Sequence, residues 1–150
     1  MPIKSFRALM TDGSIDTISL HTNTGSTGYR IKKMNLMPNT PGVASAEYIV
    51  KVYSIPQTTA DATVDFSDNT LLAAAYFTDR SSSGPAQDIV VFDNTTFNQD
   101  IYVTLITNES NNSCNYYIEL EQVKLSLDQN TVATLKDIRN IESQWVNNIT

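Results

Sequence analysis

The sequence predicts an all-β chain: an antiparallel β-sandwich of jelly-roll or Greek-key type, with about eight strands and a C-terminal amphipathic helix. Three observations predict it. First, Ser, Thr and Asn supply 46 of the 150 residues and charged residues only 17%. A helical bundle would instead be rich in Ala, Glu, Lys and Leu. Second, short apolar or alternating stretches recur at roughly ten-residue spacing between turn residues. Third, no stretch of helical period separates them, as a doubly wound α/β fold would require. The length fits one domain, 1–150.

The elements follow in order. Residues 5–10 form a short strand that ends at the turn Thr11-Asp12-Gly13-Ser14. Residues 15–22 continue as a strand, with Ile18, Leu20 and Thr22 on one face. Asn23 to Gly28 is a glycine-bearing turn. Residues 29–37 form a long strand whose apolar phase slips, from Tyr29 and Ile31 to Met34 and Leu36. A slip from odd to even positions marks a β-bulge, here near Lys32-Lys33. Pro38-Asn39-Thr40-Pro41-Gly42 is a break. Residues 46–55 make a strand, with Tyr48, Val50 and Val52 opposite Ile49, Lys51 and Tyr53, and Pro56 stops it.

Val64 and Phe66 place Asp65 in a short strand. Residues 70–78 read as a strand, although their small side chains also suit a short helix. Residues 79–87 are the most loop-like segment. Residues 88–93, 100–107 and 115–127 are the clearest strands. In the last, Ile118 and Leu120 fall on even positions, and Val123, Leu125 and Leu127 on odd ones, implying a second bulge near Glu121-Gln122. Val132, Leu135, Ile138, Ile141 and Trp145 then recur every three or four residues, predicting a helix over 131–147.

Composition also bears on function. The formal charge is −6, and an acidic chain is poorly suited to backbone-driven nucleic-acid binding. The charge is uneven along the chain. Residues 1–51 carry six bases and three acids, whereas 52–123 carry ten acids and one base, Arg80. Acids so placed keep polar loops soluble or form patches that meet between copies. The apolar runs fall far short of the ~20 residues that span a membrane, and no signal peptide is expected.

Candidate chemistry is sparse. His21 is the only histidine and Cys114 the only cysteine. No G-x-S-x-G elbow accompanies them, so neither a serine nor a cysteine nucleophile is assembled in sequence. Cys114 precedes an apolar strand and reads as a buried side chain. Gly25-Ser26-Thr27-Gly28 lacks the Gly-Lys-Ser/Thr ending of a phosphate loop. Asp61, Asp65, Asp68 and Asn69 are the best oxygen cluster, but their spacing departs from the calcium-loop pattern. Glu119 and Glu121 share a strand face without the groove that a glycosidase pair needs. Seven Tyr and one Trp could stack on sugars, yet Tyr48, Tyr102 and Tyr116 fall in strands, where aromatics pack. No cofactor, metal or enzymatic activity is expected.

Several stretches are familiar together. They are Ile3-Lys4-Ser5-Phe6-Arg7, Asp16 to Thr22, Gly25 to Ile31, Val50-Lys51-Val52-Tyr53, Asp65 to Leu72, Phe92 to Tyr102, and Tyr116 to Leu125. The chain resembles small β-rich virion proteins encoded by marine tailed bacteriophages. That resemblance implies a non-enzymatic structural role in the virion, as a decoration or cement protein on the head. Its partners would be the major capsid protein or other virion proteins and its own copies, in particles assembled in the host cytoplasm. The alternative is a tail or adsorption component that binds host-surface carbohydrate or receptor. The resemblance carries no named motif and transfers no site residue. Contacts are expected from the N-terminal strand (Phe6, Arg7), the bulge (Lys32, Lys33) and the terminal helix (Ile138, Ile141, Trp145).

Overall fold

The structure is a computed structural model of the chain. It describes residues 2–42, 46–79, 87–108 and 112–126, together with Gln129, Thr131, Ala133 and Thr134. Eight strands follow one another: β1 (Ile3–Thr11), β2 (Ile15–Ile18), β3 (Thr27–Pro38), β4 (Glu47–Tyr53), β5 (Leu71–Thr78), β6 (Gln87–Phe92), β7 (Ile101–Thr107) and β8 (Ser113–Lys124). They form two sheets, one of order β1-β8-β3 and one of order β2-β7-β4-β5-β6, and every pairing is antiparallel.

Alternation decides which face each strand buries. Met10, Ile31, Met34, Ile118 and Leu120 of the smaller sheet join Tyr48, Val50, Val52, Val103 and Leu105 of the larger one in a single core. Ile118, Leu120, Val103 and Leu105 are wholly shielded from solvent. The two sheets therefore stack through one apolar layer, about 10 Å thick in such packings.

Turn chemistry sets the connections. Gly13 takes φ +77°, a left-handed conformation that glycine adopts without strain, and the Ser14 amide closes the turn on Thr11 O at 3.1 Å. The predicted bulge is present: the β3–β8 register shifts between Ile31 and Lys33. Lys32 is the extra residue, and both lysines face solvent while Ile31 and Met34 stay buried.

Some expectations change, and others fall outside the described residues. The strand expected over 15–22 ends at Ile18, because the Leu20 and His21 amides turn to the Asp100 carboxylate instead of a ladder. The bulge expected near Glu121-Gln122 is absent: Thr27 to Ile31 pair without a break against Lys124 to Leu120. The phase slip there arises because the strand stops at Lys124. Leu125 then folds under, its amide on Ser26 O at 2.9 Å and its side chain against Gly28, where a Cβ would meet Leu125 Cδ2 at 3.0 Å. Asp65 lies in a turn, not a strand. The helix expected over 131–147 falls almost wholly outside the described residues, and the four described from 129 onward do not establish it. Of the loop expected over 79–87, residues 80–86 also lie outside, and Gln87 already belongs to β6. Among the described residues no helix is long and apolar enough to cross a membrane.

One further crossing matters. After β6 the chain leaves the larger sheet, and Phe97 bridges Tyr29 of β3. The two residues exchange both backbone hydrogen bonds, at 2.8 and 3.0 Å, and their rings stack 6.4 Å apart. Residues 87–97 thus touch the edges of both sheets in turn.

Candidate functional site

The residues with chemical potential fall into separate places. His21 lies just beyond β2, and Asp100 just before β7. One oxygen, Asp100 Oδ1, accepts from the Leu20 amide at 2.8 Å, the His21 amide at 3.0 Å and His21 Nδ1 at 2.7 Å. Burial opposes the Asp100 charge, but the imidazole and the two amides outweigh it and hold its pKa below the usual carboxylate range. A carboxylate so placed orients an imidazole. Among the described residues no hydroxyl or thiol is bonded to the His21 ring, and the ring is largely solvated. The geometry serves to fold the chain back after β2.

A cleft of about 330 Å³ lies beside this turn, lined by Thr22, Asn23, Thr24, Gln99 and Thr134 among others. Asn98, wholly buried, ties two of the lining residues, Gly25 and Thr134, together. Asn98 Nδ2 donates to Gly25 O at 3.1 Å and to Thr134 Oγ1 at 2.9 Å. Hydroxyl and amide side chains of this kind can bond a sugar or another polar ligand.

The acidic cluster is consumed by its own backbone. Asp65 Oδ1 accepts from the Ser67 amide and hydroxyl at 3.0 and 2.6 Å. Asp68 Oδ1 accepts from the Thr70 amide and hydroxyl at 2.9 and 2.6 Å. These are side-chain turns. Among the described residues no three His, Cys, Asp or Glu side chains converge as a metal site.

Asp61 has a different partner, which sequence reasoning missed. Lys51 sits in β4 between Val50 and Val52, and alternation turns it away from the core. It is nevertheless 1% exposed. Its ammonium donates to Asp61 Oδ1 at 2.7 Å and to Thr63 O at 2.6 Å, and it lies 5.4 Å from the Tyr53 ring centre. Its cross-strand neighbours Thr104 and Ala74 are buried too. The β4–β5 connection therefore crosses the outer face of the larger sheet, and Lys51 pins it there. Burial works against the ammonium, but the bonds to Asp61 and Tyr53 prevail and raise the Lys51 pKa. The Lys51 bond likewise lowers that of Asp61. The available signal was a lysine inside the otherwise apolar or aromatic run Tyr48 to Tyr53.

Cys114 is buried, and burial pushes its thiol up to about 12, so little thiolate exists at neutral pH. Glu121 is held by Lys32 Nζ at 3.0 Å and faces Arg30 at 3.6 Å.

The expected contact residues separate. Arg7 and Lys33 are exposed on the outer face of the smaller sheet and line one groove of about 750 Å³ with Leu9, Met37, Asn115 and Tyr117. Lys32 is exposed and paired with Glu121. Phe6 is half-buried and packs against the core. Ile138, Ile141 and Trp145 lie outside the described residues. Leu9 and Met37 were not anticipated. They are 51% and 65% exposed and flank Asn115 across three strands.

No protein-family model matches the chain, and no curated protein matches it.

Proposed function

We propose that the chain is a jelly-roll structural protein of a phage virion. Its role is to decorate or cement the head by binding the major capsid protein and its own copies. One observation carries this: the strands nest. β1 pairs with β8, β2 with β7 and β4 with β5, while the chain after β6 bridges β3 at Phe97. That nesting is the pattern of a double Greek key, an architecture recurrent in capsid and lectin domains. Fold alone does not name a function. The sequence resemblance to marine-phage virion proteins supplies the setting, and the apolar, basic groove over Arg7, Leu9, Lys33 and Met37 supplies a docking surface.

The test is location and copy number. Quantitative mass spectrometry of gradient-purified particles of the encoding phage should find the chain in many copies on the head. Its absence from washed particles ends the reading.

The polar cleft beside Thr22 and Gln99 favours the second reading, a tail or adsorption component that holds host-surface carbohydrate. A few copies per particle, on the tail, together with saccharide binding lost in Gln99→Ala, would decide for it.

A further inference from the structure

We propose that copies of this chain stack head to tail. The outer face of the three-stranded sheet of one copy would sit on the outer face of the five-stranded sheet of the next. The inference deepens the assembly reading and rests on it for its biological setting, but its test needs only the purified chain.

Charge is the first reason. The outer face of the smaller sheet carries four bases, Arg7, Arg30, Lys32 and Lys33, against Glu119 and Glu121, whereas Lys4 and Lys124 fall on core-side rows at the strand ends. Glu121 is already held by Lys32 and Arg30. The five strands of the larger sheet carry one base, Lys51, buried under Asp61. Around that face lie Glu47 on β4, in the outward row with Thr78 and Gln87, and Asp61, Asp65 and Asp68 on the crossing segment. Glu47 and Asp61 are exposed on the outer side: Glu47 Oε1 accepts from the Tyr76 hydroxyl at 2.8 Å, and Asp61 covers Lys51. The imbalance along the sequence has thus become an imbalance between two sheets on opposite sides of one core.

Apolar surface is the second reason. The basic face exposes Leu9 and Met37 beside Arg7 and Tyr117. On the acidic face, register sets Ile106, Ile49, Tyr76 and Ile89 in one row across four strands. The row ends at edge strand β6, where Ile89 is 55% and Val91 42% exposed. Apolar patches rimmed by charge mark association surfaces.

The signs select the occupant. Two basic faces brought together would oppose Arg7 and Lys33 to their own copies, and two acidic faces would oppose Glu47 and Asp61 likewise. Only unlike faces attract, so the contact joins different surfaces and propagates instead of closing as a twofold dimer.

Sedimentation velocity of the full chain tests this. At low salt, species should grow past dimer as concentration rises, and high salt should suppress the growth. Arg7→Glu with Lys33→Glu should stay monomeric with an unchanged melting temperature. Glu47→Lys with Asp65→Lys, both exposed on the acidic side, should likewise stay monomeric. Mixed together, the two variants present complementary faces again and should associate. Should a reversal variant fail to fold, Arg7→Gln with Lys33→Gln replaces it and weakens association at least about tenfold. A wild-type chain that stays monomeric at low salt overturns stacking, as do growth that halts at dimer, variants that associate like wild type, and an inert mixture. A monomeric chain still abundant on particles would remove stacking alone, whereas absence from particles removes the virion role alone.

Discussion

The two sheets share one core but treat their outer faces differently. Among the described residues the three-stranded sheet leaves its outer face open, with Leu9 and Met37 exposed beside Arg7 and Lys33. The five-stranded sheet has part of its outer face covered by the segment after β4, held through Lys51. A buried ammonium is tolerated only when its donors are satisfied, and here Asp61 and a carbonyl satisfy them. Strand alternation decides what leaves the core, but only the connections decide whether it reaches water.

The largest effect should come from what the sheets share. Leu120→Ala deletes a fully shielded side chain and should destabilise by about 2–5 kcal/mol. Both sheets should then be lost in one urea transition, and two separate transitions would show that the sheets are independent.

Lys51→Ala tests the covered face. It should destabilise by about 1–3 kcal/mol, a range that allows for the solvent exposure of Asp61. Limited proteolysis should open the segment between Pro56 and Asn69 while the strands stay intact. The effect should depend on acidity. The Asp61 pKa is lowered in the folded chain, so its contribution is present at neutral pH and is lost as pH falls through the folded-state value, below the usual carboxylate range. The gap between wild type and Asp61→Asn should close there.

Asp100→Asn should cost about 1–2 kcal/mol, since it weakens an acceptor that three donors share. Its folded pKa is also lowered, so this gap too should narrow in acid and persist at neutral pH. Amide exchange at Leu20 and His21 should quicken while the covered face is unaffected.

The smallest effect concerns Cys114. Its buried thiol should resist a thiol reagent at neutral pH in native buffer and react in denaturant. Rapid native labelling would mean that the smaller sheet opens readily at Cys114.

Much of this architecture is legible in the sequence. All eight strands have counterparts among the predicted stretches, because alternation and turn residues are local signals. The slip at Lys32-Lys33 was read correctly, whereas the same kind of slip near Glu121 meant only that a strand had ended and Leu125 had folded under. One pattern has two physical causes, and pairing decides between them. The partition into three and five strands was not legible, since Met10 meets Cys114 across about a hundred residues. Nor was the burial of Lys51. Its strand position was read, but its cover comes from Asp61 and Thr63, whose fold is set by contacts and not by period. The groove at Leu9 and Met37 escaped because lone apolar residues facing outward are common, and register alone shows these two as neighbours around Asn115.

The bulge at Lys32 bears on chain length itself. Excision of that single codon would leave Ile31, Lys33 and Met34 in strict alternation, with every ladder partner on β8 still matched. The protein should therefore accept a one-residue deletion at 32, losing the contact to Glu121 and little else. The same deletion at 31 or 34 would remove a side chain from the core. The long edge strand carries one residue of slack, and that slack sits where the chain meets solvent.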